Sequence, residues 1–385
     1  MKHITRTIWV LSLVSLFTDT ASEMLYPVMP IYLKSIGFSI ALIGILEGIA
    51  EATAGLSKAY FGKWSDTSGR RLPFVQIGYL LSSLSRPMIV LFSYSLWIFF
   101  ARTLDRLGKG IRTAARDAIL SDEATAETKA RIFGFHRSLD TLGAVIGPSI
   151  ALLYLYFYPE DYVSLFYIAF IPGLLAIIAS LLIKEKKPSR IPSKHKTSFL
   201  EFLNYWKISS THYKKLLIGL LLFALFNSSD VFLLLKAKQA GLSDTMVIGV
   251  FIFYNLIYAC FAYPLGIIAD RLGMKKMFAF GLAVFTLVYL GMAFATEAWM
   301  IIALFFLYGL YSAATEGISK AWISSISDKK DTATAIGTYA SFQSICTMLA
   351  SSIAGLVWFQ FGANVTFLLS AFVSLFLVFY FLRLK

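Results

Sequence analysis

Pairs of acidic side chains recur at a spacing of four residues inside two apolar stretches of the chain. Asp19 and Glu23 lie in the first stretch, and Glu47 and Glu51 lie in the second. Residues i and i+4 share one face of a helix, so each pair would present two carboxylates to the same side. Crowded carboxylates in an apolar setting are suited to take up protons. The pattern indicates proton binding, with permanent pairing to arginines as the alternative for each pair.

Charged residues continue in the fourth and fifth apolar stretches. Asp105 can pair with Arg102 or Lys109, and Asp140 follows Arg137 by three residues and His136 by four. Ionisable groups inside a membrane span are costly and mark functional sites. For Arg112 and Arg116, near the end of the fourth stretch, contacts with lipid headgroups or loop residues are the main expectation. The proton-coupling candidates are Asp19, Glu23, Asp105 and Asp140.

The substrate cavity is expected to draw on both halves of the chain. In the second half, hydrogen bonding between helices explains Asn227 equally well, and Glu316 can form a structural pair with Lys320 four residues later. The substrate-cavity candidates are Glu47, Glu51, Arg86, Arg102, Arg106, His136, Arg137, Asn227, Asp230, Tyr311 and Glu316.

The composition requires a lipid environment for these groups. Of 385 residues, 58% are hydrophobic and 15% charged, and the mean hydropathy is +0.71. A helix that crosses the hydrocarbon core needs about 20 apolar residues, and twelve such stretches are predicted. They lie near 7–33, 38–61, 73–93, 95–115, 132–158, 162–183, 216–235, 245–268, 277–296, 298–325, 333–359 and 363–382.

The net charge of +13 is explained by the loops and not by a nucleic-acid partner. Of 35 Lys and Arg residues, 24 fall on the predicted cytoplasmic side, 3 in outer loops and 8 within spans. This asymmetry follows the positive-inside rule and places both termini in the cytoplasm. We therefore expect a multi-pass protein of the inner (cytoplasmic) membrane.

A charged segment divides the spans into two sets of six. The stretch 184–215 opens with basic residues and two prolines and is predicted to be a cytoplasmic linker. It separates an N-terminal six-helix bundle, 1–183, from a C-terminal bundle, 216–385. The halves correspond at an offset of 203 residues, as in Phe133-Gly134 and Ile336-Gly337. The sequence thus predicts an all-α membrane protein with two six-helix repeats.

One loop pattern occurs in both halves. Gly62-Lys-Trp-Ser-Asp66-Thr-Ser-Gly69-Arg70-Arg71 is repeated as Gly266-Ile-Ile-Ala-Asp270-Arg271-Leu-Gly273-Met-Lys-Lys276. We expect all four glycines at tight turns between antiparallel helices. Six plus six spans with this loop resemble the major facilitator superfamily of secondary transporters. The resemblance implies that the acids engage basic residues and a neighbouring helix end, and so gate transport. The gating candidates are Gly62, Asp66, Gly69, Arg70, Arg71, Gly266, Asp270, Arg271 and Gly273.

Two further resemblances bear on the cargo. Gly143-Ala-Val-Ile-Gly147-Pro148 resembles the antiporter motif of drug/proton exchangers in this family, although Ser149, Ile150 and Ala151 replace further glycines. The runs around Asp105 and Asp140 also look like a branch of permeases that includes nickel-resistance exporters, but this chain lacks their histidine-rich tail.

The sequence predicts a proton-coupled secondary transporter that works by alternating access and exports a small organic or amphiphilic solute. The alternatives are proton-coupled uptake of a metabolite or organic ion, export of nickel, cobalt or iron, and a ligand-binding membrane sensor on a transporter fold. We expect no enzymatic activity, no cofactor other than the proton gradient, and no resident metal. A monomer among membrane lipids, with a small molecule or ion as substrate, is the expected form.

Overall fold

In a computed structural model of the protein, residues 4–183 and 203–384 are described, and all regular elements among them are helices. The helices are α1 Arg6–Leu25, α2 Met29–Ser35, α3 Ile40–Ser68, α4 Leu72–Ile89, α5 Ser95–Glu123, α6 Lys129–Phe157, α7 Tyr162–Ser180, α8 Leu203–Ile208, α9 Thr211–Phe226, α10 Val231–Gln239, α11 Asp244–Leu272, α12 Met274–Phe294, α13 Ala298–Ile326 and α14 Thr332–Arg383, with a 3₁₀ turn at Lys329–Asp331.

These helices form twelve membrane spans in two sets of six. Length and hydropathy alone identify 8 of them among the described residues. The longest, α14, is two spans joined at Gly362, whose backbone is non-helical. The remaining three are α3, α4 and α5, whose polar and charged residues lower their hydropathy. Spans 1 and 7 are each built from two helices, α1 with α2 and α9 with α10.

The two composite spans are interrupted by residues that disfavour a helix. Pro27 lies between α1 and α2, and proline removes a backbone donor from a helix interior. Residues 227–230 separate α9 from α10 with the sequence Asn-Ser-Ser-Asp. Asn, Ser and Asp compete with helical hydrogen bonds through their side chains. Breaks of this kind, at membrane depth, expose backbone polar groups that transporters use for binding.

Two compact units group the described residues differently from the predicted halves. The first gathers residues within Met1–Glu123, Leu139–Ile208 and Asp328–Ser341, and the second those within Ala124–Ser138, Ser209–Ser327 and Phe342–Lys385. Each unit thus includes the first part of one span from the other half of the sequence. The predicted boundaries 1–183 and 216–385 remain predictions, and most of the predicted linker, 184–202, lies outside the described residues.

Close helix crossings explain these exchanged segments. In the first unit, a Cβ on Gly62 would lie 2.6 Å from the carbonyl oxygen of Ala333, and one on Gly337 would lie 2.5 Å from that of Lys58. Spans 2 and 11 therefore touch backbone to backbone, as small residues permit. We name this contact the first crossing.

The second unit repeats this contact between spans 8 and 5. A Cβ on Gly266 would lie 2.6 Å from the carbonyl oxygen of Ala130, and one on Gly134 would collide with that of Ala262. We name this contact the second crossing. The prediction that Gly62 and Gly266 form turns is wrong, because both lie inside helices. They are glycines because another helix backbone occupies the place of a side chain.

The other two glycines of the motif do form the turns. Gly69 ends α3 with φ 69° and ψ 3°, and Gly273 ends α11 with φ 96° and ψ 136°. Positive φ is disfavoured for residues with a side chain and is open to glycine. Each turn follows its crossing by seven residues, so one motif supplies both the close contact and the reversal of the chain.

Candidate functional site

Span 5 fixes the acidic face of span 1. A Cβ on Gly143 would lie 2.5 Å from the carbonyl oxygen of Leu16, and one on Gly147 would collide with that of Thr20. The Gly143 and Gly147 stripe therefore packs directly on the segment of α1 that carries Asp19 and Glu23. The antiporter-like motif of the sequence thus has a positional role in the structure. It holds the backbone that presents the two acids.

Asp19 and Asp140 meet across this contact. The Asp19 carboxyl group lies within hydrogen-bonding reach of the Asp140 carboxyl group. Asp140 also accepts a hydrogen bond from the Ser15 hydroxyl, and its carboxylate lies 3.9 Å from the Arg116 guanidinium. Two carboxyl groups from different spans therefore share one buried polar site.

A cavity of about 170 Å³ lies beside this acid pair, within the first unit. Glu23, one helical turn after Asp19, is among its lining residues, whereas Asp19 is not. The charged lining residues are Glu23, Glu51, Arg86, Arg102, Asp105, Arg106, Lys109 and Arg112. Leu25, Met29 and Ile89 line the same cavity and belong to the buried apolar core of this unit. One side of the cavity is therefore ionic and another apolar.

Two arginines of span 4 are neutralised by acids of span 2. Arg102 donates to both oxygens of Glu47 at 2.9 Å, and it lies 3.3 Å from Asp105. Arg106 lies 3.1 Å from Glu51. The pairing alternative for these acids is thus the arrangement that the structure holds. The bidentate geometry makes the Arg102 pair the more directional of the two.

Other cations of the cavity bind only neutral groups. Arg86 donates to the Thr18 carbonyl at 3.2 Å and to the Ser22 hydroxyl at 2.9 Å. Arg112 donates to the Ser82 hydroxyl at 2.6 Å, and its guanidinium carbon lies 4.7 Å from the centre of the Tyr79 ring. Both guanidinium groups are buried within the protein.

The expected placement of Arg112 and Arg116 at lipid headgroups is wrong. Both are buried, because α5 continues to Glu123, beyond the predicted end of the span. Arg116 lies 3.0 Å from Asp117 and donates to the Ser15 hydroxyl at 3.1 Å. It is thereby connected to the acid pair through Ser15. Apolar periodicity ended the predicted span too early because the helix carries its own buried ion pair.

The gating acids occupy helix ends. Asp66 accepts the backbone N–H of Thr334 at 2.7 Å and its hydroxyl at 2.9 Å. Asp270 accepts the backbone N–H groups of Ala130 at 2.9 Å and Arg131 at 3.2 Å. The first four N–H groups of a helix lack partners within it, and its N-terminus attracts negative charge. Each acid therefore caps a span of the opposite half of the sequence.

Cations complete these caps. The Arg71 guanidinium lies 2.8 Å from Asp66, and the Arg131 guanidinium lies 2.7 Å from Asp270. Two other predicted gating residues, Arg70 and Arg271, are exposed. Arg271 lies in the last turn of α11, where the helix dipole favours a cation.

The second unit holds a different kind of acid site. Asp230, at the break in span 7, accepts hydrogen bonds from the hydroxyl groups of Tyr308 at 2.6 Å and Tyr254 at 2.9 Å. Asn227 donates to the Tyr311 hydroxyl at 3.0 Å. Tyrosines, rather than arginines, therefore surround the embedded acid of this unit.

The remaining predicted cavity residues also lie in the second unit. Arg137 lies 3.1 Å from Glu316, and His136 is buried. The structure thus brings most of the predicted ionic residues into one cavity of the first unit, and it places Asn227, Asp230 and Tyr311 in the tyrosine site of the second.

Sequence reasoning missed several contributors to these sites. Ser15 and Tyr254 were not predicted, since lone hydroxyl groups on apolar helices carry no distinctive spacing. Another pair could have been found from the repeat. Ser341 donates to the Gly55 carbonyl and Ser138 to the Ala259 carbonyl, and the two serines are 203 residues apart. Among the described residues there is no cluster of three or more His, Cys, Asp or Glu side chains that could hold a metal ion.

The twelve helices, the two repeated loops and the embedded ionic cavity define a membrane transporter. Comparison with known families agrees, because the family model described as Major Facilitator Superfamily matches residues 11–253 and 231–385. The chain belongs to this family, and the family prediction is confirmed.

Particular relatives show how far the likeness extends. An uncharacterised MFS-type transporter of Methanocaldococcus jannaschii is 32% identical over 95% of this chain and 92% of its own length. Quinolone resistance protein NorA of Staphylococcus aureus is 25% identical, but over only 49% of this chain and 48% of its own. The crystal structure of the human organic anion transporter MFSD10 has a TM-score of 0.84 at 15% identity, covering 98% of this chain and 99% of that one. That structure is similar in fold.

Proposed function

We propose that this transporter exports small organic solutes in exchange for protons by alternating access. The carrying observation is the row of carboxyl groups from Asp140 through Asp19 to Glu23, which leads from a buried site to the cavity. A hydrogen bond between two carboxyl groups requires a proton on one of them. Asp140 is therefore favoured as the relay partner of Asp19, whereas Asp105 is engaged by Arg102.

Release and uptake of that proton would change the net charge beside the cavity. A cavity that binds a solute in one protonation state and releases it in the other couples the two movements. Similarity to a quinolone resistance protein over about half of the chain supports export. In this proposal the protein is a monomer in the cytoplasmic membrane, with both termini in the cytoplasm. The proton gradient is its energy source, and it needs no cofactor.

Membrane vesicles turned inside out test direction and coupling together. In such vesicles an acidic interior should drive the accumulation of norfloxacin or salicylate if the protein exports these probes. Asp19→Asn should abolish accumulation driven by the pH gradient and should retain exchange of the probe at equal pH. Glu297→Gln is the matched control, since Glu297 is an exposed acid outside the cavity.

Two results would contradict the proposal. One is full pH-driven accumulation by Asp19→Asn, which would remove the acid pair from coupling. The other is accumulation only in vesicles of native orientation, which would make the protein an uptake system. Saturable binding of a probe without any exchange would instead indicate a sensor.

A further inference from the structure

The cavity of the first unit carries an excess of positive charge. Five cationic side chains line it, against three carboxylates. Arg102 and Arg106 are paired with acids of span 2, as are Glu51 and Asp105 with these arginines. The groups left to decide the character of the cavity are Arg86, Arg112 and Lys109 on one side and Glu23 on the other.

These three cations have no carboxylate partner among the described residues. Arg86 and Arg112 bind only carbonyl and hydroxyl oxygens, and no hydrogen bond or ion pair of Lys109 occurs in the described part of the chain. In addition, the Nη1 atom of Arg86 is buried and accepts no partner there. A buried charge without a counter-charge is costly, and it becomes favourable when an anion joins it.

The apolar wall and the volume define the rest of the ligand. Leu25, Met29 and Ile89 face the same space as the cations. An apolar cavity of about 150 Å³ accommodates benzene in another protein, and this cavity has about 170 Å³. A ring therefore fits, with its charged group toward the arginines. Guanidinium groups present paired N–H donors that match a carboxylate.

We propose that this cavity binds small aromatic monocarboxylates, with Arg86, Arg112 and Lys109 receiving the carboxylate and Leu25, Met29 and Ile89 covering the ring. Glu23 lowers the affinity while it is ionised, because it is the one unpaired carboxylate of the lining. Protonation of Glu23 therefore strengthens anion binding. The inference rests on the proposed function only in treating this cavity as the substrate site.

Equilibrium dialysis of radiolabelled salicylate against the purified full-length protein tests the proposal in detergent, without a membrane or a gradient. Salicylate should bind saturably, and salicylamide, its neutral analogue, should not compete at equal concentration. Benzylamine, a cation of similar size, should not compete either. An absence of saturable salicylate binding, or equal competition by salicylamide, overturns the proposal.

Matched variants locate the site. Lys109→Gln should weaken salicylate binding by about ten-fold, as the loss of a charge-assisted contact does, and Lys109→Arg should restore it. Lys34→Gln removes a lysine outside the cavity and should leave the affinity unchanged. Glu23→Gln should tighten binding. Equal affinities for Lys109→Gln and Lys34→Gln overturn the assignment even if Arg86→Gln fails to fold.

The two proposals fail in different ways. If salicylate binds as expected but inside-out vesicles move neither probe, proton-coupled export is wrong and the anion site stands. If vesicles accumulate norfloxacin with an acidic interior but salicylate does not bind, the anion assignment is wrong and proton-coupled export stands.

Discussion

The first and second crossings are built on the same plan but complete their acids differently. At the first, Asp66 receives Arg71 from its own loop, and Arg71 also donates to Asp122 and to the Ala118 carbonyl of α5. At the second, Asp270 receives Arg131, which belongs to the capped helix. The basic pair after Gly273 takes another role, since Lys275 donates to the Leu384 carbonyl.

This difference links only the first crossing to the ionic cavity. The helix that Arg71 contacts, α5, also carries Arg102, Arg106, Lys109 and Arg112. A change in the cavity can therefore reach the loop through one rigid helix with few intermediate contacts. At the second crossing the acid and its arginine form a local cap. The repeated motif thus supplies the same helix contact twice, while a connection to the cavity was found in the first half alone among the described residues.

The two acids should differ most when each is removed. Asp66 and Arg71 are each 2% exposed at the side chain, whereas Arg131 is 19% exposed. Asp66→Ala leaves a buried guanidinium with Asp122 as its remaining acid and should cost about 3–5 kcal/mol. Asp270→Ala should cost about 1–2 kcal/mol, the typical loss of a helix cap. Thermal unfolding in detergent should show a clearly larger decrease in melting temperature for Asp66→Ala.

Glu297→Ala, at an exposed acid, serves as the control and should leave the melting temperature unchanged. Equal decreases for the two loop variants would show that the buried arginine adds nothing to the first crossing.

Added methyl groups should affect the crossings alike, because their backbones approach equally. Gly62→Ala and Gly266→Ala each place a Cβ 2.6 Å from a carbonyl oxygen, and overpacking of this kind costs about 1–3 kcal/mol. Gly44→Ala and Gly249→Ala are controls on the same two helices, with no neighbouring atom within 4 Å. They should be neutral or stabilising by up to about 1 kcal/mol.

The measurement is again the melting temperature in detergent. A decrease for Gly62→Ala without one for Gly266→Ala would contradict the shared geometry of the crossings.

The repeat and the twelve spans could be predicted because both follow from local patterns, apolar length and a motif present twice. The partners of the embedded charges could not be predicted in the same way. Asp140 has His136 and Arg137 nearby in sequence, yet it contacts Ser15 and lies near Arg116, which are more than twenty residues away. Gly62 was misplaced for a related reason. Its spacing within the motif is that of a turn residue, and only the path of α14 shows that it contacts Ala333.

The turn glycines give the smallest expected difference between the crossings. Gly69 has φ 69° and ψ 3°, the left-handed helical conformation, which asparagine also adopts at helix ends. Gly273 has φ 96° and ψ 136°, a conformation that other residues rarely adopt. Gly69→Asn should therefore change stability by only a few tenths of a kcal/mol, and Gly273→Asn should cost about 1 kcal/mol. No atom lies within 4 Å of a Cβ placed on Gly273, so a decrease in its melting temperature reports backbone strain alone, and equal melting temperatures for the two variants would show that the loop after α11 relaxes to accept a side chain.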